Sequence, residues 1–174
     1  MSPSFSHVLV VRYAECDAQG VVFNAHYQAL CDAVFDLWVL ARLGREWQRS
    51  IGADFSMVVS SAFQYRSPAR FLDAIRIEGE VTRWGRTSFE VTWTGEIDDD
   101  PSGPRRVFDG VMRYVCVDAA KRPTPIDATF RRAIENEDEN DADESIHRGA
   151  KKGGGLPATN RSAARERACE RRIG

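Results

Sequence analysis

The sequence predicts an α+β fold in which an antiparallel sheet wraps around one long helix. Three observations carry this. Across residues 26–43 the apolar side chains Tyr27, Leu30, Val34, Leu37, Trp38 and Ala41 recur at spacings of three and four, the period of a helix. Downstream, residues 74–84 and 87–96 alternate apolar with polar residues on either side of Gly85 and Arg86, the pattern of a hairpin. Strand-like segments lie on both sides of the helical run, so one helix has to cover the whole sheet.

Taken in order, residues 6–13 have the valine-rich character of a strand, with Val8, Val10 and Tyr13 suited to a pleated surface. In the helix, Cys31, Phe35 and Val39 widen the apolar surface and leave Gln28, Asp32 and Asp36 as a narrow polar stripe, so the helix should be largely enclosed. Gly44 is placed to end it. Residues 55–65, with Met57, Val58, Val59 and Phe63, form the next strand. In the hairpin, Ile75, Ile77 and Val81 face one way and Arg76, Glu78 and Glu80 the other, followed by Phe89, Val91 and Trp93 against Ser88, Glu90 and Thr92. Residues 106–118 read as apolar on both faces, hence as an interior strand. A helix-free sheet face then needs cover, and a second subunit is the expected source.

A chain of 174 residues suits one domain, and its apolar residues, 43% of the whole, thin out after Phe130. The folded unit is therefore expected over 1–134. Residues 135–144 hold seven acids in ten, and a lysine- and arginine-rich close follows. Residues 135–174 cannot bury enough apolar area to fold alone and read as a disordered tail, with partner contact as the alternative. The formal net charge of −2 gives no overall field for nucleic acid or an acidic membrane. No apolar run approaches the roughly 20 residues that span a bilayer, and residues 1–7 lack the basic and apolar regions of a signal peptide. A cytoplasmic location is the expectation. The cysteines at 16, 31, 116 and 169 have no zinc-site spacing and read as reduced thiols, so no metal is expected.

The stretch 13–27 carries the chemistry. It sets Asp17 and Gly20 in a small-residue loop between a strand and the start of the long helix, where backbone N–H groups lack intrahelical partners. A carboxylate able to activate water, beside donors able to hold an oxyanion, is the minimum equipment for breaking an acyl bond. Asp17 is equally of the type that forms turns and caps helices. Glu15 is either a like charge acting on Asp17 or a solvated strand-end residue. Cys16 has no histidine placed in sequence to activate it. Asp32 either satisfies a buried donor or faces the site. Phe63, Trp84, Phe89 and Trp93 read as core. Arg66, Arg70 and Arg86 are of the type that binds phosphate in a bidentate manner.

Residues 11–38, then Gln64-Tyr65-Arg66-Ser67-Pro68-Ala69-Arg70-Phe71, then Val115-Cys116-Val117-Asp118 and Arg122-Pro123-Thr124-Pro125-Ile126 resemble, in order and spacing, the 4-hydroxybenzoyl-CoA thioesterase family. The resemblance covers roughly residues 5–134. It implies the hotdog fold and an acyl-CoA thioesterase that yields a carboxylic acid and free coenzyme A. It makes Asp17 the catalytic carboxylate, as general base or as nucleophile, and makes the amides near Phe23 and Asn24 the oxyanion donors. Gly20, Val21, His26 and Tyr27 are then candidates for substrate contact, and Arg66 and Arg86 for the phosphates of coenzyme A. It implies a homodimer or homotetramer and no cofactor beyond the coenzyme A of the substrate. Many bacterial relatives carry histidine where this chain has Asn24, and an asparagine cannot exchange protons near neutral pH. Hydrolysis of an acyl carrier protein thioester, or acyl-CoA binding without turnover, are the alternative readings.

Overall fold

A computed structural model of the chain describes residues 4–51 and 55–135, without the side chains of 48–51. The expected tail over 135–174 lies, beyond Glu135, outside the described residues. The elements are β1 (Ser4–Val10), a 3-10 turn (Tyr13–Glu15), α1 (Asn24–Ile51), β2 (Ser56–Tyr65), β3 (Ala74–Trp84), β4 (Ser88–Ile97), β5 (Arg105–Cys116) and α2 (Ala128–Glu135). The five strands form one sheet in the order β1-β3-β4-β5-β2, and each neighbouring pair is antiparallel.

Strand alternation decides which face meets α1. Every second residue of β4, from Phe89 to Ile97, is buried, and the residues between them are only half-buried. Trp38 of α1, Trp93 of β4 and Tyr114 of β5 are the largest fully buried side chains of the resulting core. The Trp93 ring lies across Gly79, its cross-strand partner, and a methyl group at 79 would run into that ring.

Two expectations change here. Gly44 does break the helix, in a left-handed conformation (φ 74°), but the chain resumes helical geometry to Ile51, so that Trp47 stacks on Phe130. Second, β5 is an interior strand but is not apolar on both faces. Its outward residues include Arg106, Asp109 and Arg113, and they join the charges of β3 and β4. Arg106 pairs with Glu96 (3.2 Å), Arg113 with Glu90 (3.7 Å) and Arg76 with Asp98 (2.8 Å). The helix-free face thus mixes exchanged charge over β3, β4 and β5 with exposed apolar side chains nearer the sheet edges, among them Val8, Met57 and Val111.

α2 was not expected from the sequence. Asp127 caps it, its Oδ1 accepting from the amides of Thr129 and Phe130 (2.9 Å each), and Phe130 and Ile134, one turn apart, are fully buried. Trp47, Phe55, Trp84 and Phe89 close around Phe130 at ring separations of 4.5 to 6.0 Å.

Candidate active site

Residues 16–22 double back on themselves as a short loop closed by an antiparallel bridge between Cys16 and Val22. Inside it the Asp17 amide donates to the Val21 carbonyl (2.9 Å) and the Gly20 amide to the Asp17 carbonyl (2.9 Å). Gly20 takes a left-handed conformation (φ 74°), the reason a glycine suits the tip. The Asp17 side chain is half-buried, and its Oδ1 accepts from the Gln19 amide (2.8 Å). Asp17 is therefore a turn former, as its residue type suggested. Its second oxygen has no partner among the described residues.

The loop is anchored on two sides. The Val22 amide donates to the Ala69 carbonyl (2.9 Å), which ties it to the segment between β2 and β3. The Phe23 amide donates to the Glu15 carbonyl (2.9 Å), which sets the start of α1 directly beside the loop. Glu15, for which a solvated strand-end position was one expectation, is not solvated. Its side chain is buried, and it accepts from the Arg12 amide (2.8 Å) and the Arg12 guanidinium (2.6 and 2.8 Å). A carboxylate out of water needs such donors, and Arg12 supplies all of them.

The Phe23 amide is thus occupied by Glu15. The next two amides, of Asn24 and Ala25, have no acceptor among the described residues, as expected of a helix start. These donors carry the positive end of the helix dipole. Both residues are exposed. The Tyr65 hydroxyl donates to the Asn24 carbonyl (3.2 Å), so β2 fixes the first turn of α1 from the other side.

The remaining predicted residues divide. Val21 is half-buried within the loop. His26 is half-buried, with its ring edge-on to Phe23 at 6.1 Å. Tyr27 is buried between Tyr65 and Phe108, and burial raises its pKa above the ordinary tyrosine value, which keeps it neutral. Arg66 follows Tyr65 at the same end of the sheet, but its guanidinium is held by Asp109 and Gln64 (2.6 Å each). Arg86 is not brought to Asp17. It follows the far end of β3, and an eleven-residue strand spans about 33 Å. Asp32 satisfies a buried donor, accepting from the Tyr114 hydroxyl (3.3 Å). No group of three His, Cys, Asp or Glu among the described residues is arranged to hold a metal ion. No described helix is long and apolar enough to cross a membrane.

A protein-family signature described as the thioesterase-like superfamily matches residues 11–134, a span that begins just before the Asp17 loop and ends within α2. The chain belongs to the thioesterase-like superfamily. Among curated proteins, a 1,4-dihydroxy-2-naphthoyl-CoA hydrolase of Synechococcus elongatus is 29% identical over 87 residues, which is 48% of this chain and 63% of that protein. The chain thus matches somewhat under two thirds of that relative's length. Solved structures share its fold. A 4-hydroxybenzoyl-CoA thioesterase from Pseudomonas sp. strain CBS-3 superposes with a TM-score of 0.67 at 19% identity, covering 76% of this chain and 99% of its own. A 1,4-dihydroxy-2-naphthoyl-CoA thioesterase from Synechocystis gives 0.65 at 18%, covering 75% and 95%. This superfamily member therefore has the hotdog fold, with α1 as the helix its sheet encloses.

Proposed function

We propose that this superfamily member is an acyl-CoA thioesterase, hydrolysing a thioester to a carboxylic acid and free coenzyme A. One observation carries the reading. The 16–22 loop holds a carboxylate with a free oxygen beside a helix start whose Asn24 and Ala25 amides are unspent. The thioester carbonyl accepts from those amides, which are fixed in advance where negative charge develops. Asp17 takes a proton from water as the water oxygen attacks the carbonyl carbon, or attacks the carbon itself and is released by water in a second step. In either course collapse of the first tetrahedral adduct breaks the carbon–sulfur bond and the pair of electrons leaves on sulfur; in the second course this precedes the attack of water on the acyl–Asp17 anhydride. A thiolate is a good leaving group, so Asn24 can stand where many relatives have histidine, and the reaction calls for no metal or redox cofactor.

Support for coenzyme A as the carrier comes from the names of the curated relative and both solved neighbours, each a CoA thioester hydrolase. Action in the cytoplasm as a homodimer or homotetramer completes the reading, and Arg86 belongs to it only as a residue of a second copy. Free-thiol release from a panel of acyl-CoAs tests the activity. Asp17→Asn should lower kcat by roughly 10²–10⁴-fold, while its amide oxygen still receives the Gln19 N–H and keeps the loop closed. Unchanged turnover in that variant would remove Asp17 from the mechanism. Faster release from an acyl carrier protein thioester than from acyl-CoA would reassign the carrier.

A further inference from the structure

The segment that anchors the loop carries a feature the hydrolytic chemistry does not use. Residues 70–73 form a tight turn in which the Asp73 amide donates to the Arg70 carbonyl (3.0 Å) and the Asp73 carboxylate accepts from the Arg70 amide (2.8 Å). Leu72, third in the turn, has a φ of 72°. Glycine or asparagine is the usual occupant of such a position, because a Cβ there is strained. The strained leucine is held by its own amide, which donates to the Val11 carbonyl (3.0 Å).

This turn thrusts apolar side chains into water. Leu72 is 67% exposed and Phe71 49%. Tyr13, 80% exposed on the 3-10 turn that leads into the Asp17 loop, meets Phe71 edge-on at 6.0 Å. Backbone strain that displays an aromatic side chain beside a candidate site is an outlier of the kind found at ligand contacts. The charge beside it is also unspent. Arg12 is committed to Glu15, Arg66 to Asp109 and Arg105 to Asp100, whereas the exposed Arg70 guanidinium has no partner among the described residues.

Resting on the acyl-CoA reading above, we infer that Tyr13, Phe71 and Arg70 form the subsite for the nucleotide end of coenzyme A. The purine lies against the Tyr13 and Phe71 rings, and a phosphate meets the Arg70 guanidinium. A flat π-system and an anion a few atoms apart on one ligand match an aromatic pair and a free guanidinium a few residues apart on the surface. The position suits a long substrate. The ledge stands four residues before Asp17 on one side and one residue after Ala69 on the other, at the rim of the loop that would hold the thioester. The carrier's far end is then gripped outside the site while its sulfur reaches in.

The test is calorimetric titration of the full chain with coenzyme A, with adenosine 3′,5′-bisphosphate and with pantetheine. Coenzyme A should bind at least tenfold more tightly than pantetheine, and the bisphosphate should bind alone and compete with it. In Arg70→Ala that preference should shrink by roughly tenfold or more, and in the double variant Tyr13→Ala/Phe71→Ala by a similar factor. Arg83→Ala, an exposed arginine at the other end of β3, is the control and should leave it unaltered. Equal affinity of the wild type for coenzyme A and pantetheine would overturn the inference. So would full preference in both ledge variants, or a change of oligomeric state in them by light scattering, which would make the ledge a contact between copies. Loss of hydrolysis with nucleotide binding intact would count against the thioesterase reading and leave the subsite standing.

Discussion

The backbone amide of Phe23 donates to the carbonyl of Glu15 at 2.9 Å, and this bond decides which donor remains for a substrate. With Phe23 occupied, Asn24 is the first amide free to meet an oxyanion. Asn24 is also the first residue of α1. Proline is tolerated at that position because its N–H is unpaired within the helix and its fixed φ is already helical. Asn24→Pro should therefore keep the helical circular dichroism and the melting temperature near wild type, while kcat for thioester hydrolysis drops by about 10²–10³-fold. Replacing only the side chain, as in Asn24→Ala, should cost far less. Equal losses in the two variants would place the donor elsewhere.

Arg12 and Glu15 give a prediction about stability. The Glu15 side chain is 4% exposed and the Arg12 side chain 79%, so removing the arginine strands a buried carboxylate. Arg12→Ala should lower the free energy of unfolding by about 1–3 kcal/mol. The exposed Arg66–Asp109 pair offers the comparison, and Arg66→Ala should cost under about 1 kcal/mol. Urea unfolding midpoints of the two variants measure the difference. A smaller shift for Arg12→Ala than for Arg66→Ala would contradict the reading of Glu15 as a buried anchor.

Much of this architecture was legible because it rests on periodicity. The alternation in β3 and β4 and the three-and-four spacing in α1 each report one buried face, and the sheet order keeps the predicted hairpin intact. What escaped depends on contacts far apart in sequence. The charges of β5 pair with β4 residues such as Glu90 and Glu96, so a strand that read as apolar throughout carries charged residues on its outer face beside Val111. Glu15 looked solvated because its partner, Arg12, gave no sign of turning back on it. α2 carried a readable signal, an aspartate at 127 ahead of Phe130 and Ile134, but eight residues are too few for periodicity to stand out. At the site, the loop and the helix start were legible from residue types. The occupation of the Phe23 amide was not, because it follows from how the 16–22 loop closes on itself, nor was the distance of Arg86, which follows from where β3 ends.

Gly79 and Trp93 make a packing prediction. They face each other across β3 and β4, and the indole fills the space a side chain at 79 would need. Gly79→Ala should cost about 1–3 kcal/mol through overpacking, read as a lowered melting temperature. Because the penalty comes from one ring, the same substitution in a Trp93→Leu background should cost markedly less, and a double-mutant cycle measures that coupling. Additive effects would mean that the strain lies in the backbone and not against the indole.

The polar stripe of α1 supplies the pH dependence. Asp32 and Asp36 stand one helical turn apart and both reach solvent, yet partial desolvation against the packed face of α1 raises the pKa of each above the ordinary aspartate value; at Asp36 the neighbouring charge of Asp32 adds to the rise. A carboxyl whose folded pKa lies above its unfolded value binds more protons in the folded state between the two. Its contribution to stability is therefore most favourable below the unfolded value of 3.8 and is lost as the pH rises through the folded one. Asp36→Asn removes the ionisation. The variant should melt higher than the wild type at pH 7, and its advantage should shrink steadily as the pH falls toward 4. Melting curves of the two proteins at matched ionic strength across that range read the difference directly, and an advantage that grew on acidification would reverse the sign assigned to this pair.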